Sequence, residues 1–469
     1  MEKKLAGLII FIIITLGSKA GGYRIAVEWT GLRDTSVFLA HYYDSNIYIN
    51  DTLRLDATGK GVFTGDSLLN EGLYMLYLNG NNYFDFLLGS DQEFSLKTVN
   101  NHLLDSLRIT GAATTEKFLA YQQHIRKQSE RKKQLTEKIK TDDAQMAARA
   151  RQELNELDQN MQSYMTAQTK QEDNSMYGLF LRAANPVEVP APPVERDHPR
   201  FDSIAWFHQY FFQRDHYLDG IDFGDQRILN TPLVKPKLEN YFNKVLIQSP
   251  DSIIPQAIKL LKRAESNVNT YQYVTQFLIN NSSASKIMGM DAVFVAVADE
   301  VYLKGKATWA DSTTLRKIAE EAYLSRPNLI GKKAPELIME SREGEPKSLH
   351  QLQADFTLLL FYETDCGHCK KEVPKIYNDF YLKNLDHNIE VYAVCMDDKR
   401  ETWENFIDEH ELAGWNHVWD PQHQSRFRIK YNVKTTPMIY LLDKDKMIKA
   451  KKIDIENLSK LISILLNEN

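Results

Sequence analysis

The stretch Phe356-Thr-Leu-Leu-Leu-Phe-Tyr-Glu-Thr-Asp-Cys-Gly-His-Cys-Lys-Lys-Glu-Val-Pro374 decides how the rest of the chain is read. An apolar, β-rich run from Phe356 to Tyr362 leads to two thiols, Cys366 and Cys369, and a Lys/Glu-rich helical pattern follows. That order predicts a strand-to-helix junction at the cysteines. Unpaired N–H groups and the helix dipole favour negative charge at such a junction, so a thiolate at Cys366 is stabilised there. The two intervening residues, Gly367 and His368, let the second sulfur reach the first and close a small disulfide. The pair can then cycle between dithiol and disulfide through a mixed disulfide with a partner.

Other uses of the pair fit less well. A structural zinc site needs four ligands, no second CxxC exists, and the spacing of His387 and His410 suggests nothing. A static disulfide between residues so close in the chain closes too small a loop to restrict the unfolded state much. Redox chemistry is the favoured reading, and it calls for no metal and no cofactor beyond the Cys366–Cys369 couple itself.

The third cysteine, Cys395, ends Ile389-Glu-Val-Tyr-Ala-Val-Cys395, which alternates like a strand buried against helices. It reads as a small core residue, with a third redox thiol as the alternative. Only three cysteines in 469 residues exclude a disulfide-scaffolded secreted protein. A formal charge of −6 with no basic domain argues against a nucleic-acid partner.

The first twenty residues read as an export signal. Lys3 and Lys4 form a charged region, Leu5 to Leu16 an apolar one, and Ser18-Lys-Ala20 a small-residue cleavage site. The apolar run is short for a membrane span, with an uncleaved anchor as the alternative. Cleavage after residue 20 removes three lysines and one glutamate, leaving −8. The expected location is the periplasm or cell envelope.

Residues 21–113 are expected to form a β-sandwich or small barrel, with strands at Tyr23–Trp29, Ser36–Tyr42, Gly72–Leu78 and Tyr83–Leu88 between Gly/Asn/Asp turns. Its aromatics (Tyr42, Tyr43, Tyr74, Tyr77, Tyr83, Phe84) suit core packing better than a binding face. Residues 114–184 read as a charged helical hairpin turning at Thr141-Asp-Asp143, with Asp143 capping the second arm. Leu154, Leu157, Met161 and Met165 mark its apolar stripe, and the basic cluster around Arg126 and Arg131 reads as a solvated face. The hairpin could serve as spacer or dimer contact; oligomeric state is not legible. A Pro-rich linker spans 185–200 and a helical domain 201–327. His208 and His216, eight residues apart, lack a carboxylate partner and make a weak metal site. From 328 onward strand and helix alternate: strands at Glu336–Met339, Phe356–Tyr362, Asn388–Cys395, Asn416–Trp419, Met438–Leu442 and Met447–Lys452, with helices over 367–384, 401–412, 422–431 and 456–466. The expected class is multidomain α+β, ending in a mixed central sheet flanked by helices.

Residues 328–469, about 30% of the chain, resemble the TlpA/ResA-like thiol–disulfide oxidoreductases, a thioredoxin-fold group. Gly331-Lys-Lys-Ala-Pro335 is similar to the segment opening that group's extra N-terminal hairpin, Cys366-Gly-His-Cys-Lys-Lys-Glu-Val-Pro374 fits its CxxCxxExP pattern, and Thr436-Pro437 matches the pair containing the fold's cis-proline. The preceding β and helical portions look like domains found before such folds in exported proteins of Gram-negative bacteria. The resemblance implies Cys366 as attacking thiolate and Cys369 as buried resolving thiol. It implies a cis Pro437 that, with the Thr436 backbone, docks the substrate chain in extended form. Glu372 falls where relatives place an acidic residue able to take the resolving thiol's proton.

Three departures stand out: Asp365 where many relatives have Trp, Leu360 where thioredoxin keeps a buried Asp, and His368 making a Gly-His dipeptide. Glu363 is the nearest substitute for the missing Asp. An imidazolium at His368 favours the reduced dithiol and raises the potential, and Asp365 pushes the other way. The peroxiredoxin pattern PxxxTxxC is absent, since Leu359 and Glu363 occupy its Pro and Thr positions. The implied activity is exchange or reduction of protein disulfides, with an upstream electron donor or acceptor. The competing reading is a cell-envelope binding or scaffold protein with an auxiliary redox domain.

Overall fold

The computed structural model describes residues 21–467 except 142, 172 and 173. The export segment expected at residues 1–20, and Asp142 of the expected hairpin turn, lie outside the described residues. The chain divides into two compact units that meet between Val245 and Leu246, a point inside the helical stretch 201–327.

The first unit opens with eight strands: β1 (Tyr23–Thr30), β2 (Ser36–Tyr43), β3 (Asn46–Arg54), β4 (Lys60–Gly65), β5 (Gly72–Asn79), β6 (Asn82–Leu88), β7 (Glu93–Val99) and β8 (Arg108–Thr110). They form two four-stranded sheets, ordered β4-β1-β7-β8 and β3-β2-β5-β6. One apolar core lies between them, with Ile25, Val27, Trp29, Phe63, Phe94 and Leu96 from one sheet and Val37, Leu39, Tyr74, Leu76, Phe84 and Phe86 from the other. β7 shows the logic, since alternate residues are buried and exposed along its whole length. The expected aromatics split accordingly: Tyr74 and Phe84 are core residues, while Tyr43 and Tyr83 are exposed. Strands β3, β4, β7 and β8 carry too many charged or polar residues for a hydrophobic reading to find them.

Two long helices follow, Ala113–Ile139 and Ala144–Gln171. The Asp143 carboxylate accepts the N–H groups of Gln145 and Met146 at 2.9 and 3.0 Å, capping the second arm. The basic cluster faces solvent and the opposite arm: Arg131 pairs with Glu153, and Lys132 with Asp158 at 2.7 Å. Among the described residues no helix is long and apolar enough to cross a membrane.

The second unit begins with helices, among them Pro250–Ala264, Val268–Ala284 and Ser312–Ser325, and ends in a seven-stranded mixed sheet. Its strands are β9 (Ile338–Ser341), β10 (Pro346–Ser348), β11 (Phe356–Tyr362), β12 (Ile389–Cys395), β13 (Asn416–Trp419), β14 (Met438–Asp443) and β15 (Ile448–Lys451). Their order is β10-β9-β13-β12-β11-β14-β15. β11, β12 and β13 run parallel, and β14 lies antiparallel to β11 on its other side. The β9–β10 hairpin adds the outer edge beside β13. This is the arrangement expected of a thioredoxin fold.

All seven residues of β11 are buried, because both faces of the sheet are covered. Leu358, Leu360 and Tyr362 join a core with Val373, Ile376, Trp403, Phe406, Leu458 and Ile462 of the helices on one face. Leu359 and Phe361 join Tyr392, Phe427, Tyr431 and Tyr440 on the other. The helix expected over 367–384 forms in three pieces: α-helix Cys369–Lys375, a π turn Ile376–Tyr381 and a 3-10 turn Leu382–Asn384. Pro374 lies inside it and supplies no N–H to the ladder. The helix expected over 422–431 contracts to Phe427–Lys430, preceded by Arg426 in the left-handed region at φ 56°.

Within this unit the sheet is tied to the preceding helices through Lys451. Its side chain is 3% exposed, and its ammonium is held by Asp291 and by the carbonyl and side-chain oxygens of Asn328 at 2.8 and 3.1 Å. Burial pushes this lysine's pKa down and the Asp291 carboxylate pushes it back up.

Candidate active site

β11 ends at Tyr362, and Glu363, Thr364 and Asp365 carry the chain to Cys366. Thr364 is fixed from the neighbouring strand's end, its N–H donating to the Asp397 carboxylate at 2.8 Å. Cys366 stands in the turn that leads into the helix: its carbonyl accepts the N–H of Lys370 at 3.0 Å, and its sulfur accepts the N–H of Cys369 at 3.5 Å. Asp365, Gly367 and His368 are exposed, Cys366 is half-buried and Cys369 is buried. A Cβ on Gly367 would meet nothing within 4 Å, so the approach to Cys366 is open on that side.

The Thr436–Pro437 peptide is cis and lies opposite the cysteines. The Cys366 thiol donates to the Thr436 carbonyl at 3.7 Å. Thus residues 70 positions apart in the chain meet at one sulfur. β14, beginning at Met438, runs beside β11 and delivers this loop to the end of the strand that carries the cysteines.

The two thiols are driven apart electrostatically. Burial raises the Cys366 pKa, but the Cys369 N–H and thiol, the Thr436 hydroxyl and the His368 N–H outweigh it and hold Cys366 below an ordinary thiol. Burial dominates at Cys369 and, with the adjacent Cys366 sulfur, pushes it up to about 12. Cys366 is therefore the ready nucleophile and Cys369 the reserve thiol. Both are free, as is Cys395. Cys395 is buried, its thiol donating to Asp397 Oδ2 at 3.6 Å, and burial pushes its pKa well up.

Of the site residues expected from the sequence, Cys366, Gly367, His368, Cys369, Thr436 and Pro437 come together. Glu372 lies one turn along the helix, half-exposed, with its carboxylate 2.9 Å from Lys375 Nζ. The sequence points to Thr436 only for its backbone and to Glu363 only as a bare substitute. In the structure the Thr436 hydroxyl donates to Glu363 Oε2 at 3.2 Å, and Glu363 Oε1 lies 3.7 Å from Arg428. Asp397 and Arg428 escape the sequence reading altogether, since nothing in their local sequence signals proximity to the thiols.

A family model described as the AhpC/TSA family matches residues 330–451. Thiol-disulfide oxidoreductase ResA from a strain of Bacillus cereus is 28% identical over 122 residues, 26% of this chain and 68% of that protein. Its counterpart from Bacillus anthracis is 29% identical over 116 residues, 25% of this chain and 65% of that protein. The chain thus spans about two thirds of the length of these relatives. Among solved structures, a domain of a possible thiol-disulfide isomerase from Cytophaga hutchinsonii is 41% identical. That match covers 30% of this chain and 96% of that one, with a TM-score of 0.29. With the family model, the curated relatives and the sheet order in agreement, residues 330–451 are an AhpC/TSA thioredoxin-like domain, homologous to the ResA/TlpA-like thiol–disulfide oxidoreductases.

Proposed function

We propose that this chain is an exported oxidoreductase that exchanges or reduces disulfides in protein substrates through a Cys366–Cys369 dithiol/disulfide couple. The observation that carries the proposal is the placement of the two thiols: Cys366 half-buried, 3.7 Å from the carbonyl before the cis Pro437, and Cys369 buried behind it with its N–H on the Cys366 sulfur. The Cys366 thiolate attacks one sulfur of a substrate disulfide, forming a mixed disulfide and releasing the other sulfur as a thiolate. Cys369 then loses its proton and attacks Cys366, closing the internal disulfide and releasing the substrate reduced by two electrons. An upstream dithiol returns the couple to its reduced form.

The Thr436 carbonyl, 3.7 Å from Cys366 Sγ, marks where an extended substrate backbone docks alongside Pro437. Gly367 leaves room for it, and His368 tunes the thiolate from the exposed side. The segment at residues 1–20 supports assignment to the periplasm or envelope.

Replacing Cys369 by Ser tests the proposal, because it stops the cycle at the mixed disulfide. Affinity capture from an envelope fraction, with mass spectrometry, is expected to yield discrete proteins linked to Cys366 and released by reductant. Absence of such adducts, with no reduction of insulin disulfides by the unaltered chain, would reject it in favour of a binding or scaffold role for residues 23–326.

A further inference from the structure

We infer that Glu321, on the helix Ser312–Ser325, is a positioning residue for the protein substrate: through Asn432 it sets where the Thr436–Pro437 backbone stands against Cys366. This rests on the Cys366–Cys369 reading above and names part of what docks the substrate. The helix lies outside residues 330–451, which match the family model, so the anchor comes from outside the thioredoxin-like domain.

The reason begins with the loop. On one side β14 fixes the chain from Met438 onward by pairing with β11. On the other, the helix Phe427–Lys430 ends and Asn432 turns the chain in the left-handed region at φ 48°. Asparagine suits that conformation better than most residues. Between these fixed points Val433 to Pro437 run outside any helix or strand. Within that span the Thr436 hydroxyl donates to Glu363 Oε2 at 3.2 Å, a tether to the end of β11. The tether on the far side is Asn432.

Asn432 is 6% exposed, and its amide nitrogen donates to Glu321 Oε1 at 3.2 Å and to the buried Ser325 Oγ at 3.3 Å. The other Glu321 oxygen, Oε2, takes the Lys434 ammonium. Just beyond the helix, Asn328 Nδ2 donates to the Lys430 carbonyl at 3.3 Å. A single carboxylate thus grips the chain at two points just before Thr436, whose carbonyl meets the Cys366 sulfur. The Asn432 arm is buried and the Lys434 arm is open to solvent, so the first carries more of the hold. A loosened loop has a selective consequence. A protein substrate lays extended backbone along the loop, and a displaced Thr436 weakens that binding. A small aryl disulfide needs only the Cys366 sulfur and is spared.

The test compares dithiothreitol-driven reduction of insulin disulfides by the full-length protein with the rate at which Cys366 attacks dithiobis-nitrobenzoate. E321A is expected to raise KM for insulin about fivefold, with kcat and the aryl disulfide rate each within about twofold of the unaltered chain. N432G keeps the left-handed turn while removing the amide, and is expected to match E321A. The double variant E321A/N432G is expected to be no worse than either alone, because both remove one shared link. E321Q retains an acceptor for Asn432 and is expected to recover most of the E321A loss. An unchanged insulin KM in both single variants, a parallel fall in the aryl disulfide rate, or additive losses in the double variant would overturn the inference. Inactivity of the unaltered chain towards both disulfides would instead overturn the underlying reading, and the anchor with it.

Discussion

Strands β7 and β11 have the same length and opposite exposure. β7 buries every second residue, because one face meets the sandwich core and the other meets solvent. β11 buries all seven, because helices and loops cover both faces of its sheet. The difference matters for chemistry. A strand buried on both faces and flanked by a parallel neighbour can offer side chains to a ligand only beyond its end, where the chain leaves the sheet. The cysteines sit at that exit. The sandwich strands, joined by short antiparallel turns for the most part, carry no thiol at all. Two β regions with cores of similar character thus have different capacities, set by where their strands lead.

The contrast is broken most directly at the thiol. Cys366→Ser is expected to lower insulin-disulfide reduction about a thousandfold or more, to the background of the assay. Retention of activity would move the chemistry out of the C-terminal sheet. Next is the split between the two sulfurs, read by iodoacetamide alkylation against pH with peptide mass spectrometry. Alkylation requires the thiolate, so a depressed pKa extends reaction to lower pH and a raised one delays it. Cys366 is expected to reach half its maximal rate below the ordinary thiol value of about 8.5. Cys369 is expected to stay protected until pH approaches about 12.

The two cores can then be compared by cavity formation. Leu360→Ala in β11 and Trp29→Ala in β1 each truncate a fully buried side chain and are each expected to cost about 3–5 kcal/mol by denaturant unfolding. Only Leu360→Ala is expected to disturb alkylation at Cys366, and equal disturbance by Trp29→Ala would erase the distinction. The smallest effect concerns Cys395, which packs on the same sheet as the active thiols. Cys395→Ala is expected to cost about 1 kcal/mol and to leave insulin reduction within twofold of the unaltered chain. A large loss of turnover would make it a third redox thiol.

Much of this was legible in particular residues. The apolar run Phe356–Tyr362 gave its strand to the residue, and Asn416–Trp419 likewise, since short apolar segments bounded by polar turns leave little freedom of register. The flanking elements were less clear. Phe427–Lys430 is far shorter than its helical pattern, because Arg426 in a left-handed conformation starts it late. The helix from Phe201 to His216 is rich in aromatic residues, yet it leaves Trp206, Phe207 and Phe211 exposed. Composition reports an apolar side chain but not whether a surface arrives to cover it.

By itself the sequence determined that two thiols stand at the mouth of a helix and that a Thr-Pro pair precedes a later strand. These are local facts, set by spacing and periodicity within a few residues. Only the tertiary structure decided that the Thr436 carbonyl reaches Cys366 and that the Thr436 hydroxyl turns to Glu363. The same holds for burial separating the pKa values of two sulfurs three positions apart. Those depend on β11 and β14 lying side by side and on the volume packed around Cys369, quantities that arise only when distant parts of the chain exclude water together.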